Sequence, residues 1–232
     1  MIITIDGPAA AGKSTAARML AARLGFRYLD TGAMYRAAAL AAMRAGIDWR
    51  DPAQLECLAD RIHLAWRGPR LFLDGEDVTE AIRSPDVTEA TRFVADSPKL
   101  REKMAELQRE IGRTCDLVTE GRDQGSLVFP NAECKFFLTA DPRERAKRRV
   151  ADYAAQGKSL AWEEVLRAIM ERDHADANRP VGALRRPNDA VEIRTDGLTV
   201  DEVVAKMEKI VREKQATLSQ QGSNGSLTMK AE

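Results

Sequence analysis

Eight residues near the start of the chain have the spacing of a loop that binds phosphate. They fit the pattern GxxxxGK followed by Ser or Thr, and they lie between a run that predicts a strand and a run that predicts a helix. The glycines of such a loop let backbone N–H groups point inward, and the N-terminus of the next helix adds partial positive charge. The pattern therefore predicts a site for ATP. Its residues are Gly7, Pro8, Ala9, Ala10, Ala11, Gly12, Lys13, Ser14 and the adjoining Thr15.

Two side chains of this loop predict how the triphosphate is held. Lys13 is expected to reach the β/γ oxygens, and Ser14 is expected to hold Mg²⁺ through its hydroxyl. Asp6 and Asp30 come at the ends of two predicted strands nearby. Each carboxylate either orders water around Mg²⁺ or accepts hydrogen bonds from loop N–H groups, and the sequence leaves both roles open.

The loop alone does not identify the second substrate, because GTPases, helicases and small kinases share it. Nothing in the chain resembles the switch and base-reading motifs of GTPases. The 36 basic residues are balanced by 36 acidic ones, so the chain lacks the basic surface of a helicase. A kinase is the favoured class, with no nucleic acid and no membrane as partner.

The order of apolar runs and helical patterns predicts an α/β fold. Strands that alternate with helices imply a parallel sheet of five strands, of the P-loop NTPase type, with helices on both faces. Turn residues at Gly68-Pro69 predict a hairpin, within an insertion of about 63–92. The predicted strands are 2–5, 26–29, 117–119, 134–139 and 190–193, and the predicted helices are 13–24, 33–45, 98–112, 142–155, one starting at Ser159, and 200–214.

The remaining composition limits where the protein works. The three cysteines are odd in number and widely spaced, which argues against a disulfide framework. The chain has no basic leader before an apolar run and no apolar run of about 18 residues, so we expect a cytoplasmic protein. We also expect a monomer. Residues 215–232 are polar and rich in Gly, Ser and Gln, which predicts a disordered tail.

Four segments together resemble bacterial cytidylate kinases. They are Asp6-Gly7-Pro8, the run from Leu29 to Arg36 (LDTGAMYR), Glu120-Gly121-Arg122-Asp123, and Val128-Phe129-Pro130. The resemblance runs in order over about 1–214 and implies one nucleoside monophosphate kinase domain there. It also implies that the insertion lies beside the monophosphate site and that a helical lid covers about 143–186.

The resemblance further implies a role for each matching residue. Arg36, Arg122 and Arg179 would hold the phosphate of CMP, Arg101 and Asp123 would read cytosine, and Arg172 and Asp176 would contact the sugar, with Thr31 in the same site. The lid would bring arginines over the transferring phosphate and exclude water. The catalytic set is then Lys13, Arg148, Arg149, Arg172 and Arg179.

The predicted reaction is direct in-line transfer from ATP·Mg²⁺ to CMP, and also to dCMP. The acceptor phosphate is largely a dianion at neutral pH, so no catalytic base is needed. Three positions depart from the pattern of the family: Ala175 in the lid, Gln124 with Ser126 after Asp123, and Arg92 where relatives offer a serine to the base. Two alternatives stay open: a small P-loop kinase with another acceptor, and a regulatory protein that only binds ATP.

Overall fold

A five-stranded parallel sheet forms the centre of the structure, a computed structural model that describes residues 1–155 and 157–227. The parallel sheet of five strands is as predicted and has the spatial order β2-β6-β1-β7-β8, and a separate antiparallel sheet has the order β3-β4-β5. The strands are β1 (Ile2–Asp6), β2 (Arg27–Asp30), β3 (Leu64–Arg67), β4 (Arg70–Leu73), β5 (Glu76–Asp77), β6 (Leu117–Gly121), β7 (Cys134–Thr139) and β8 (Val191–Arg194).

Helices cover both faces of the central sheet. Ile3 and Ile5 of β1 pack on one face against the first and last helices, while Ile2 packs with the helices of the opposite face. This alternation follows from the period of two in a strand. The helices are α1 (Lys13–Leu24), α2 (Thr31–Arg44), α3 (Pro52–Arg61), α4 (Pro85–Ala95), α5 (Pro98–Gly112), α6 (Pro142–Ala155), α7 (Trp162–Asn178) and α8 (Val200–Leu227).

Local signals fix several helix starts. Ser84 caps α4 by accepting from the Val87 N–H at 3.4 Å, and Ser97 caps α5 by accepting from the Leu100 N–H at 3.4 Å. A proline follows each serine at the first helical position, where its missing N–H costs nothing. The start of α5 matters for the site because Arg101 lies in its first turns.

Four sequence predictions differ from the structure. The helix predicted to start at Ser159 begins at Trp162, after Ala161, which makes no side-chain cap bond. The last helix, predicted over 200–214, extends as α8 to Leu227, and residues 228–232 of the predicted tail lie outside the described residues. Helices α3 and α4 and strand β5 were not predicted. The predicted hairpin of β3 and β4 is confirmed, although the insertion boundary at 92 falls inside α4.

Within the described ranges, no helix is both long and apolar enough to cross a bilayer. The cysteines Cys57, Cys115 and Cys134 are all unpaired.

Candidate active site

A cavity of about 520 Å³ opens at the carboxyl edge of the central sheet. The loop after β1, the start of α2, the end of β6, and helices α4, α5 and α7 supply its walls. The strand order changes direction around β1, which is where open parallel sheets bind ligands. Of the predicted site residues, the cavity is lined by Ala9, Ala10, Lys13, Ser14, Thr31, Arg36, Arg101, Arg122, Asp123, Arg149, Arg172, Asp176 and Arg179.

The phosphate-binding loop has the backbone that its glycines predict. Gly7 has φ +146°, and a Cβ there would lie 2.1 Å from the Leu138 carbonyl oxygen of the neighbouring strand. Gly12 precedes α1 with φ +89°, while Ala10 adopts φ +59° without the freedom of a glycine. Such a conformation in a non-glycine residue costs free energy, and it is typical of loops shaped for a ligand.

Lys13 is enclosed by this loop. Its ammonium donates to the Pro8 carbonyl oxygen at 2.7 Å, and the residue is 5% exposed. Burial, together with the nearby guanidinium of Arg122, lowers the pKa of Lys13 to about 7, although Glu120 acts in the opposite direction. A bound polyphosphate would restore the charge, because an anion favours the ammonium form.

Ser14 faces a carboxylate that the sequence reasoning did not select. Its hydroxyl donates to Oε1 of Glu120 at 2.8 Å, and Glu120 is buried at the end of β6. A hydroxyl and a carboxylate are hard oxygen ligands of the kind that Mg²⁺ prefers, so this part of the cavity fits the metal. The position of Glu120 at a strand end was the signal that could have found it.

Asp6 and Asp30 serve the loops around the cavity. The two carboxylate oxygens of Asp6 accept from the N–H groups of Gln124 and Gly125, at 2.9 and 2.7 Å. Burial raises the pKa of Asp6 to about 6, against the effect of these two hydrogen bonds. Asp30 accepts from the Ala33 N–H at 2.8 Å and so caps α2. Of the two roles left open by the sequence, the structure shows bonding to N–H groups for both carboxylates.

At the far end of the cavity, Arg101 and Asp123 form a buried ion pair. Their side chains are 4% and 7% exposed, and Arg101 also donates to the Ala95 carbonyl oxygen at 3.0 Å. The Gly182 carbonyl lies 3.4 Å from Arg101 Nη2, and a Cβ at 182 would lie 2.2 Å from each partner of the pair. The sequence did not point to Gly182, because its neighbours here are distant along the chain.

Two more arginines share one carboxylate beside this pair. Asp176 accepts from Arg122 Nε at 2.7 Å and from Arg179 Nη2 at 2.8 Å, and Arg179 also donates to Asp96 at 2.8 Å. Burial of Asp176 favours its protonated form, but the neighbouring guanidinium groups outweigh it and lower the pKa of Asp176. We call this set the acceptor pocket. It comprises Arg101, Arg122, Asp123, Asp176 and Arg179.

Three cations near the phosphate-binding loop have no carboxylate partner among the described residues. Arg149 lies over the Tyr153 ring at 5.0 Å, and Arg172 makes no hydrogen bond or ion pair with the described part of the chain. Desolvation by the cavity walls and the guanidinium groups of Arg122 and Arg149 lower the pKa of Arg172, against the effect of Asp176, although Arg172 is exposed to solvent. We call this set the transfer cluster: Lys13, Arg149 and Arg172.

Arg36 and Arg101 each have a buried N–H group that makes no hydrogen bond with the described residues. The Nε atoms of both are buried without a hydrogen-bond partner in the part of the chain that the structure describes. Arg36 otherwise donates to Asp30 at 3.3 Å. Buried donors without an acceptor are costly, which is typical of a site that a ligand completes.

One residue of the predicted catalytic set, Arg148, lies outside the cavity. Its guanidinium donates to the Thr195 hydroxyl at 2.9 Å and to the Thr195 carbonyl oxygen at 2.7 Å, after β8. It does not line the cavity, unlike its neighbour Arg149. Consecutive helical residues point in directions about 100° apart, so only one of the two can face the phosphates.

The three departures from the family pattern have different settings. Gln124 lies behind the cavity, where it accepts from Thr119 at 2.9 Å and donates to Gln108 at 3.0 Å. Arg92 is exposed and lies over the Phe93 ring, outside the cavity. Ala175 is exposed on α7. Side chains that line the cavity and were not predicted include Tyr35, Thr88 and Thr91.

Comparison with known proteins gives a consistent result. A family model described as "Cytidylate kinase" matches residues 3–213. A cytidylate kinase of Rhodopirellula baltica is 51% identical over 213 residues, which cover 92% of this chain and 93% of the relative. A cytidylate kinase of Geobacter sulfurreducens is 42% identical over 219 residues, covering 93% and 94%.

Among solved structures, an uncharacterized protein from Eubacterium ventriosum is similar in fold. The TM-score is 0.51 at 13% sequence identity, and the match covers 92% of this chain and 98% of that one. At this identity the likeness supports the α/β fold alone.

Proposed function

Because the chain belongs to the cytidylate kinase family, we propose that the cavity carries out the family's reaction, phosphorylation of CMP by ATP, through direct in-line transfer. The enzyme is a phosphotransferase whose acceptor is a phosphate group. One observation carries the assignment of roles: a single cavity joins the phosphate-binding loop to a buried arginine–aspartate pair and to further arginines.

The loop end of the cavity is assigned to ATP. Inward N–H groups and the N-terminus of α1 favour the triphosphate, and the Lys13 ammonium lies beside them. Ser14 and Glu120 are the residues that would hold Mg²⁺. The bound metal supplies positive charge that neutralises the triphosphate.

The acceptor pocket is assigned to CMP. Arg101 carries guanidinium donors, Asp123 carries carboxylate lone pairs, and both residues line the cavity, so together they match the carbonyl and exocyclic amine of cytosine. Uracil presents a carbonyl oxygen in place of that amine, and a carboxylate repels it. The pair therefore favours cytosine over uracil.

Arg36, Arg122 and Arg179 are assigned to the phosphate of CMP. All three line the cavity, and Arg36 has a buried Nε without an acceptor. Thr31 donates its hydroxyl hydrogen to the Glu120 carbonyl oxygen at 2.7 Å, so only its lone pairs face the ligand. Arg172 and Asp176 are assigned to the sugar, and dCMP is a second acceptor under this proposal.

The transfer cluster is assigned to the phosphoryl group during its transfer from ATP to the acceptor. Lys13, Arg149 and Arg172 have no carboxylate partner in the described structure. Their positive charge is therefore available to the phosphate oxygens of the two nucleotides, which repel one another when they meet. The acceptor phosphate is already a dianion, so positioning and charge neutralisation do the work. We assign the lid to about 143–186, which contains α6 and α7.

A coupled assay of ADP formation tests the proposal with CMP, dCMP, UMP, AMP, GMP and shikimate as acceptors. CMP is expected to give the highest kcat/KM. Faster turnover with AMP, GMP or shikimate would overturn the assignment of the acceptor pocket. Tight ATP binding without turnover of any acceptor would point instead to a regulatory protein.

Asp123→Asn sharpens the same assay. The amide can donate to the carbonyl of uracil, so the ratio of kcat/KM for CMP to that for UMP should fall about tenfold or more. Gln124→Leu, which changes a buried neighbour behind the cavity, serves as the matched control and should keep the ratio.

A further inference from the structure

An arginine outside the cavity connects three parts of the molecule. Arg145, on α6, has a side chain that is 4% exposed. Its Nε donates to the Ala140 carbonyl oxygen after β7 at 3.0 Å, and its Nη1 donates to the Ala9 carbonyl oxygen of the phosphate-binding loop at 3.0 Å. Its Nη2 donates to Asp173 Oδ2 on α7 at 2.6 Å. One planar guanidinium thus holds a strand end, the loop and a lid helix together.

Asp173 has a special place on α7. It follows Arg172 of the transfer cluster and precedes Asp176 of the acceptor pocket by one turn. Its second oxygen, Oδ1, is buried without a hydrogen-bond partner among the described residues. In the described structure, this carboxylate therefore accepts its side-chain hydrogen bond from Arg145.

The contact fixes how α7 is rotated. Neighbouring residues of a helix point about 100° apart, so holding Asp173 toward α6 turns Arg172 toward the cavity. A rigid hold matters because a displacement of about 1 Å at a reacting centre can cost about 10²-fold in rate. The planar guanidinium of Arg145, with all three nitrogens donating hydrogen bonds, resists such a rotation better than the ammonium of a lysine would.

We propose that Arg145 is a positioning residue that fixes α7 relative to the phosphate-binding loop through Asp173, so that Arg172 and Asp176 are aligned with the loop. Neither Arg145 nor Asp173 lines the cavity, so both act through the residues beside Asp173. This inference rests on the proposed function and adds two residues to it.

The experiment is a double-mutant cycle with Asp173→Asn and Arg145→Lys. Asp173→Asn is nearly isosteric and leaves the contact of Arg145 with Ala9 in place. Glu144→Gln is the matched control, since it also turns a carboxylate into an amide on this pair of helices, in an exposed pair with Lys147. The kcat and the KM values for CMP and ATP are measured below the unfolding transition of every variant.

Each single variant is expected to lower kcat/KM for CMP by about 10- to 100-fold, and Asp173→Asn, which keeps the contact with Ala9, should change KM for ATP by less than about threefold. The double variant should have about the same kcat/KM for CMP as the less active single variant, because both changes break the same contact. Glu144→Gln should match the wild type. If Asp173→Asn stays within about twofold of the wild type in kcat and in KM for CMP, or if the two effects multiply, Arg145 has only a structural role.

Hydrogen exchange separates this inference from the proposed function. The amides of α7 in ATP-saturated protein should exchange faster in Asp173→Asn than in Glu144→Gln. Equal exchange would overturn the positioning role even if CMP is phosphorylated. Absence of CMP turnover in the wild type would overturn the proposed function, and the exchange result would still decide the role of Arg145.

Discussion

The two ends of the cavity hold their cations in opposite ways. In the acceptor pocket, Arg101 is paired with Asp123, and Arg122 and Arg179 share Asp176. In the transfer cluster, Lys13 donates to a carbonyl oxygen, and neither Arg149 nor Arg172 has a carboxylate partner in the described structure. The two ends also differ in burial, because the paired side chains of the acceptor pocket are largely buried, whereas Arg149 is half-buried and Arg172 is exposed.

The difference suggests a division of labour. Paired arginines are held in one geometry before a ligand arrives, which lowers the ordering cost of recognising a nucleotide. Desolvation first, and repulsion from neighbouring guanidinium groups second, lower the pKa values of Lys13 and Arg172, and both effects are offset when phosphate oxygens bind. Under the proposed function, the acceptor pocket would serve recognition of the nucleotide, and the transfer cluster would neutralise charge that appears during transfer.

Lys13→Met gives the largest expected effect and tests the transfer cluster directly. Turnover should fall by about 10³- to 10⁵-fold, because the cation nearest the transferring phosphate is lost. The melting temperature at pH 6 should not fall, since the pKa of Lys13 is lowered to about 7 and its charged form is the form that burial disfavours. A coupled assay and a thermal melt measure both quantities. Turnover within tenfold of the wild type would remove Lys13 from the mechanism.

Arg101→Met tests whether the acceptor pocket is held by its own pairing. The variant leaves Asp123 buried without its cation, so the free energy of unfolding should fall by about 3–5 kcal/mol. Denaturant unfolding of the ligand-free protein measures the loss. An unchanged midpoint would show that the pair does not support the pocket.

Arg172→Gln sharpens the comparison from the other side. The variant should lower kcat by about 10²-fold, because one donor to the developing charge is lost. Its free energy of unfolding should change little, since Arg172 is exposed, has no ion pair with the described residues, and is repelled by Arg122 but attracted by Asp176. Steady-state kinetics and denaturant unfolding, run beside Arg101→Met, give the contrast. A stability loss as large as that of Arg101→Met would mean that the two ends do not differ.

The smallest expected effect is a pH dependence of ATP binding. Lys13 has a pKa lowered to about 7 in the free protein, and a bound triphosphate raises it, so binding takes up a proton above that pH. The Kd for ATP should therefore increase from pH 7 to pH 8.5, by no more than about tenfold per pH unit. Titration calorimetry measures the slope.

Lys13→Arg is the matched control for this dependence, because a guanidinium stays charged over the whole range. Its Kd should be flat between the same two pH values. An equal slope in both proteins would assign the pH dependence to another group.

Much of the donor end could be predicted from local sequence. The GxxxxGK spacing predicts the loop because the required glycine conformations and the helix that follows are contiguous in the chain, and α1 has its predicted bounds. The spacing of apolar residues on one helix face likewise predicts α5, and turn residues predict the hairpin of β3 and β4. Where local signals were weak, the predictions failed, as at the start of α7 and the end of α8.

Side-chain direction could not be predicted in the same way. Arg148 and Arg149 are adjacent arginines on one helix, and only packing against Thr195 shows that Arg148 points away from the cavity. Glu120 and Gly182 were missed for a related reason. Their partners, Ser14 and Arg101, are brought to them by strand order and by the return of the chain after α7.

By itself, the sequence determined the phosphate-binding loop at the start of the first helix, and it showed that arginines follow in a pattern resembling a known family. Which arginines are paired was decided only by the tertiary structure. Arg101 meets Asp123 across 22 positions, and Arg122 meets Asp176 across 54. Electrostatic interactions depend on distance in space and not on separation along the chain. The folding of the sheet and lid therefore decides which arginines have a carboxylate within reach and which do not.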